Sequence, residues 1–179
     1  MGISFPVFAM KPESILESYA KGVSVAPNTI SLSHDPLERF KHYAGFLWIF
    51  SVLQVTIVKP FNPVIGETYQ ADIFGGKYSA EQVSHHPPIS AFVYQRDNYK
   101  IHASLELSAS VGINSGEGRF MGDITIQYDD GYWIKGKLPN GKLTGVLIGT
   151  TIFETFGGSY MYDSNNCVLT YQMGNNHTF

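Results

Sequence analysis

Glu81-Gln82-Val83-Ser84-His85-His86-Pro87-Pro88-Ile89-Ser90 reads as the end of one strand, a corner, and the start of the next. Pro87 and Pro88 lack a backbone N–H and fix their own φ, and each pushes the residue before it out of the helical region. His86 is therefore extended, and no helix runs through the corner. Two imidazoles stand there side by side. Each can donate N–H bonds to an anion, and charge is within reach near neutral pH because an unperturbed histidine has a pKa of about 6.5. A metal suits the pattern poorly. Neighbours on an extended chain point to opposite sides, and no Cys cluster or His-x-x-x-His helix completes a shell.

Outward from this corner, toward the C-terminus, the chain is a series of short strands punctuated by turns. Strands are expected over 67–73, 77–84, 90–95, 99–107, 120–128, 132–138, 142–154, 159–163 and 167–173. Gly75-Gly76, Asp97-Asn98, Asp129-Asp130-Gly131, Pro139-Asn140-Gly141, Gly157-Gly158 and Asn165-Asn166 supply the turns. Strands this closely spaced make an antiparallel meander, and a long twisted meander curls toward a barrel. Gly112 to Gly118 is glycine-rich without the Gly-Lys-Ser/Thr end of a phosphate loop, and reads as a flexible turn.

Toward the N-terminus the pattern is helical. Residues 1–11 are an extended apolar lead holding Phe5, Val7 and Phe8. Pro12 suits a first helical turn, and Ile15, Leu16 and Tyr19 recur at helical spacing up to Gly22. A second helix starts at Asp35, a capping residue, with Pro36 in the first turn and Glu38 placed as in a capping box. The run Ala44–Val58 is almost wholly apolar. As a helix it reaches only about 22 Å, short of a hydrocarbon core about 30 Å thick, so it is expected to be a buried helix running into a buried strand. The domain reading is one domain over 1–179: lead 1–11, helical part 12–58, β-barrel part 59–173.

Composition limits the function classes. With 179 residues and 44% hydrophobic content the chain can bury a core. Aromatic content of 14%, with eleven Tyr, twelve Phe and 18 Gly, favours strands and tight turns over a bundle. A formal charge of −3 supplies no basic footprint for nucleic acid, and any membrane contact must be local. The single Cys167 suits a reducing compartment, and the first residues lack a secretory n-region and h-region, so a cytoplasmic location is expected.

A second element stands at Lys59-Pro60-Phe61-Asn62-Pro63-Val64-Ile65-Gly66-Glu67. Alone, its lysine reads as a solvated cap. Together with Glu81–Pro88, it resembles the oxysterol-binding protein-related lipid-transfer family: the octapeptide matches the family signature at every position, and the lysine element precedes it at a similar spacing. The resemblance is closest from Ile3 to Phe92 and looser from there to Tyr171. It implies that this chain corresponds to a lipid-binding domain lacking the C-terminal part, where the family adds helices and further head-group contacts.

What the resemblance implies is a mainly β (α+β) fold, an incomplete antiparallel barrel around a hydrophobic tunnel, with two helices before it and an N-terminal lid. It also implies a lipid carrier rather than an enzyme, with no cofactor and no metal. The ligand would be phosphatidylinositol 4-phosphate, exchanged for sterol or phosphatidylserine during transient contact with organelle membranes. By motif position Lys59, His85 and His86 would contact the 4-phosphate, with Asn62 beside them and Glu67 less directly involved. Phe5, Val7 and Phe8 in the lid, Phe46, Trp48, Ile49 and Phe50 in the second helix, and Ile89 and Phe92 in strands are candidates for the tunnel wall. Core packing is the rival account of each.

The chemistry agrees with a phosphomonoester. One lysine and two imidazoles offer charge-assisted hydrogen bonds that phosphatidylcholine, lacking a terminal phosphate, cannot exploit. Two other readings compete. One is a phosphoinositide sensor that binds without transfer. The other is a lipid hydrolase using His85 or His86 as base with Glu67 or Glu81, but there is no Gly-x-Ser-x-Gly elbow to supply a nucleophile.

Overall fold

The computed structural model describes residues 10–54, 59–145 and 148–172. β1 (Met10–Ser14) is followed by helices α1 (Ile15–Val23), α2 (Ala26–Thr29) and α3 (Pro36–Leu53). β2 (Lys59–Phe61) then pairs in parallel with β1. The remaining strands are β3 (Thr68–Ile73), β4 (Gly76–His85), β5 (Pro88–Gln95), β6 (Tyr99–Val111), β7 (Ser115–Met121) and β8 (Asp123–Tyr128). They continue with β9 (Trp133–Lys137), β10 (Asn140–Thr144), β11 (Ile152–Phe156), β12 (Gly158–Asp163) and β13 (Val168–Gln172). The lead residues Phe5, Val7 and Phe8 lie outside the described residues, as do 55–58, the end of the apolar run expected to pass from buried helix into buried strand.

The first helix begins three residues later than the sequence suggests. Pro12 belongs to β1, in the register irregularity between Lys11 and Ser14, where a ladder tolerates a residue with no N–H to give. α3 starts as expected, with the Asp35 carboxylate accepting from the Leu37 N–H at 3.0 Å. The capping box does not form. Glu38 pairs with Lys41 at 2.7 Å, and the Asp35 N–H donates to the Ser33 hydroxyl at 3.1 Å.

Among the described residues β3 to β13 form one sheet of eleven strands, antiparallel in every pairing. It is not the simple meander expected from spacing, because β6 has two partners along one edge: residues 99–103 pair with β8 and 106–111 with β7. One branch then runs β7-β10-β11 and the other β8-β9-β12-β13. The fork sits at Gly122, which splits the expected 120–128 strand. Its φ is +113°, and a Cβ there would lie 2.3 Å from the Ser104 carbonyl oxygen, so only glycine fits. The expected 142–154 strand likewise folds back on itself as the β10–β11 hairpin. Gly116 and Gly118 lie in β7 rather than in a flexible turn, because β6 and β10 both pair with them. No pairing among the described residues joins the outer strands, so the barrel is open.

The helices cover one face of this sheet. Along β4, Gly76, Tyr78, Ala80 and Gln82 are buried while Lys77, Ser79, Glu81 and Val83 are exposed. Leu16, Tyr19 and Val23 of α1, with Tyr43, Phe46, Leu47 and Phe50 of α3, join the buried strand residues in a single core. Phe92 is its hinge: it stacks on Phe50 at 6.1 Å and on Tyr78 at 5.9 Å, and meets Tyr19 at 5.9 Å. The Tyr43 hydroxyl donates to the Ile124 carbonyl at 2.5 Å, fixing α3 to β8. Arg39, only 3% exposed, lies over the Tyr128 ring at 3.9 Å and bonds Asp130 at 2.6 Å. Among the described residues no helix is long and apolar enough to cross a membrane.

Candidate functional site

β4 and β5 are joined so tightly that His85 pairs with Pro88, leaving His86 and Pro87 as the loop, with a cis peptide between them. Both imidazoles are exposed. Their centroids are 4.7 Å apart at 61°. The expectation that the two rings point to opposite sides is thus corrected: alternation is a property of the pleat, and His86 has already left it for the turn. Two imidazoles this close can bond one anionic group between them.

Gln82 holds the corner in place and is the residue that sequence reasoning missed. It is fully buried. Its amide donates to the Ser84 carbonyl at 2.8 Å and accepts from the buried Ser90 hydroxyl at 2.5 Å, tying both arms of the hairpin together just below the histidines. A polar residue on the apolar face of an alternating strand was the available signal, since a buried amide must find partners.

The same residue joins the two motifs. The Gly66 N–H donates to the Gln82 carbonyl at 2.9 Å, and the Gln82 N–H donates to the Glu67 carbonyl at 3.0 Å. The lysine element therefore runs alongside the strand that ends in the histidines. Its loop is a tight turn: the Glu67 N–H donates to the Val64 carbonyl at 3.0 Å, the Glu67 carboxylate accepts from the Val64 N–H at 3.2 Å, and Gly66 takes φ +79°. Glu67 is thus occupied in shaping its own loop. Asn62 is exposed beside it. Lys59 is placed by its backbone, which pairs with Met10.

Next to that strand lies a charged cluster with no counterpart in the motif reading. Glu13 of β1 is buried and forms ion pairs with Lys11 at 2.6 Å and with Lys21. Burial opposes its ionisation, but the two lysines outweigh it and hold the carboxyl below its usual range. Lys11 stands opposite Pro60. Among the described residues no three His, Cys, Asp or Glu side chains gather as a metal site requires.

The wall candidates separate by burial. Phe46, Phe50 and Phe92 are packed in the core, whereas Trp48, on the same helix, is 49% exposed and Ile49 and Ile89 are partly buried. α3 is apolar on more than one side, and Leu37, Trp48 and Leu53 form an exposed apolar set beyond the core-facing stripe.

Comparison with known proteins places this architecture. Oxysterol-binding protein 9 of Dictyostelium discoideum is 32% identical over 167 residues, covering 90% of this chain and 39% of that protein. Human oxysterol-binding protein-related protein 2 is 30% identical over 185 residues, covering 95% and 38%. The chain therefore spans about two fifths of the curated relatives it matches. Among solved structures, the Osh3 ORD in complex with PI(4)P from Saccharomyces cerevisiae superposes with a TM-score of 0.83 at 23% identity, over 100% of this chain and 50% of that one. The Osh1 ORD domain in complex with ergosterol gives 0.79 at 24% identity, over 91% and 41%. These two likenesses show a shared fold. The family model described as oxysterol-binding protein matches residues 1–178, and with this match the chain belongs to that family.

Proposed function

We propose that this chain binds a lipid with a terminal phosphate, phosphatidylinositol 4-phosphate, at the corner formed by Lys59, Asn62, His85 and His86, and carries it between membranes. Sterol or phosphatidylserine is the lipid exchanged for it. The observation that carries this reading is the pair of exposed imidazoles 4.7 Å apart, on a turn bonded through Gln82 to the lysine-bearing loop. A phosphomonoester presents three non-bridging acceptor oxygens and up to two negative charges to such a donor set, where a phosphodiester presents two such oxygens and a single charge. Glu67 contributes by shaping the loop. The solved relatives hold ergosterol and PI(4)P, which supports a fold able to take both kinds of lipid. Exposed Leu37 and Trp48, eleven residues apart and so on one side of α3, mark the side we assign to lipid tails, together with Phe5, Val7 and Phe8 of the lead. Contact with membranes is transient and peripheral, on the cytoplasmic side of organelles. No covalent step is involved.

The test is extraction of phosphatidylinositol 4-phosphate from vesicles by the purified chain, beside His85→Ala/His86→Ala. Extraction by the wild type and its loss in the double variant is the expected result. Transfer to acceptor vesicles separates a carrier from a sensor. A folded wild type that extracts nothing refutes the carrier reading for this chain.

A further inference from the structure

The two ends of the sheet differ in chemistry, and the register assigns the hairpin turns between its long strands to one end or the other. At one end lie Phe74-Gly75, Arg96-Asp97-Asn98, Asp129-Asp130-Gly131 and Ser164-Asn165-Asn166. Its turns carry the carboxylates of Asp97, Asp129 and Asp130 against the one cation Arg96, with exposed Phe74 and Val168 beside them. At the other lie the His86-Pro87 turn, the loop 62–67, the β6–β7 turn Gly112-Ile113-Asn114 and the β10–β11 turn with Gly145 and Ile148. Among the described turn residues of this second end, Glu67 is the only carboxylate, and it is bonded within its own loop.

The two most exposed apolar side chains among the described residues stand at the second end. Ile113 is 93% exposed and Ile148 80%, with Val64 and Ile65 at 66% each. Scattered exposed apolar residues need no explanation, but the two most exposed, brought together on adjoining turns, do. Ile113 and Ile148 are held together. The Asn114 side chain donates to the Ile148 carbonyl at 2.8 Å and accepts from the Ile148 N–H at 3.0 Å, while the Gly145 N–H donates to the Asn114 carbonyl at 3.0 Å. β6 continues from Glu106, opposite Ile89, to Val111, about 16 Å past the level of Ile89 at roughly 3.3 Å per residue, which carries the pair past the histidine turn that ends β4.

We propose that this end is the membrane-docking face, with Ile113 and Ile148 as a paired wedge entering the interface of an anionic bilayer. This rests on the lipid-binding reading above and names the surface through which it works. Branched apolar tips suit the acyl boundary, the histidines and lysine suit anionic head groups, and the acidic turns at the far end would be repelled by the same surface. The wedge tips reach the membrane first and bring the histidine corner to it.

The experiment uses vesicles of phosphatidylcholine and phosphatidylserine, with sedimentation as readout. Ile113→Asp/Ile148→Asp should lose partitioning by roughly tenfold or more for each isoleucine, given the transfer free energy of a buried isoleucine side chain. Phe74→Asp, at the opposite end and 69% exposed, should bind as the wild type does. Binding of a water-soluble short-chain phosphatidylinositol 4-phosphate, read by calorimetry, should survive the isoleucine changes and vanish in His85→Ala/His86→Ala, which in turn still sediments with vesicles. If the short-chain lipid never binds but vesicle binding depends on the isoleucines, the head-group reading fails and the docking face stands. The docking proposal is overturned if the isoleucine variant sediments like the wild type, if Phe74→Asp is equally impaired, or if the wild type ignores the vesicles. A change only in self-association overturns it as well.

Discussion

Replacing Gln82 with methionine keeps the volume of the side chain and removes both polar atoms that clamp the histidine hairpin. Two hydrogen bonds go, each contributing about 1 kcal/mol net. The Ser90 hydroxyl is then left buried without its acceptor, at about 1–3 kcal/mol, whereas the Ser84 carbonyl, on a half-buried residue, can turn to water. The expected destabilisation is about 2–4 kcal/mol, or a fall of about 1–2 M in the urea midpoint for a slope near 2 kcal/mol/M. Ser90→Ala alone strands the glutamine oxygen and costs about 1–2 kcal/mol. The double variant removes donor and acceptor together, so it should be less destabilised than the sum of the singles by about 1 kcal/mol. The assay is equilibrium urea unfolding of all four chains. Strict additivity, or a Gln82→Met cost below about 0.5 kcal/mol, would refute the clamp. Its functional corollary is weaker binding of the short-chain lipid in Gln82→Met, although Gln82 is buried.

Other expectations test the frame around this corner. Asp130→Asn should destabilise the chain by up to about 3 kcal/mol at neutral pH, because Arg39 is left buried between tyrosine rings without its anion. The Arg39 hydrogen bonds hold the Asp130 carboxyl well below its ordinary range. That contribution is therefore full above a pH of about 4 and lost as pH falls below it, so wild type and variant should converge in acid unfolding curves. Gly122→Ala should cost at least about 2–3 kcal/mol in thermal or urea unfolding, since the added methyl meets the Ser104 carbonyl at a positive φ. Phe50→Ala should cost about 3–5 kcal/mol and Trp48→Ala under about 1 kcal/mol. In a Trp133→Phe background, Trp48 emission should shift to the blue on lipid loading; emission unchanged in a loaded chain would remove Trp48 from the lipid wall.

Much of this protein was legible in the chain itself. Proline and glycine punctuate the turns by removing an N–H or admitting positive φ, and the run 77–84 reads as a strand between two of those turns, because these are properties of neighbouring residues. Asp35-Pro36 fixed the start of α3 for the same reason. The two motifs that carry the candidate site are contiguous, so their residue types and order were readable. What they do to each other was not. The fork at Gly122 depends on a carbonyl eighteen positions away, and the pairing of β6 with both β7 and β8 depends on its length relative to theirs. Pro12 reads as a helix start until β2 is there to pair with its strand. Gln82 looks like one more polar strand residue until Ser90, Glu67 and Gly66 converge on it. Local sterics act through the chain and can be read along it. Contacts that close across sequence are decided only when the sheet assembles, because each partner's position is set by all the others.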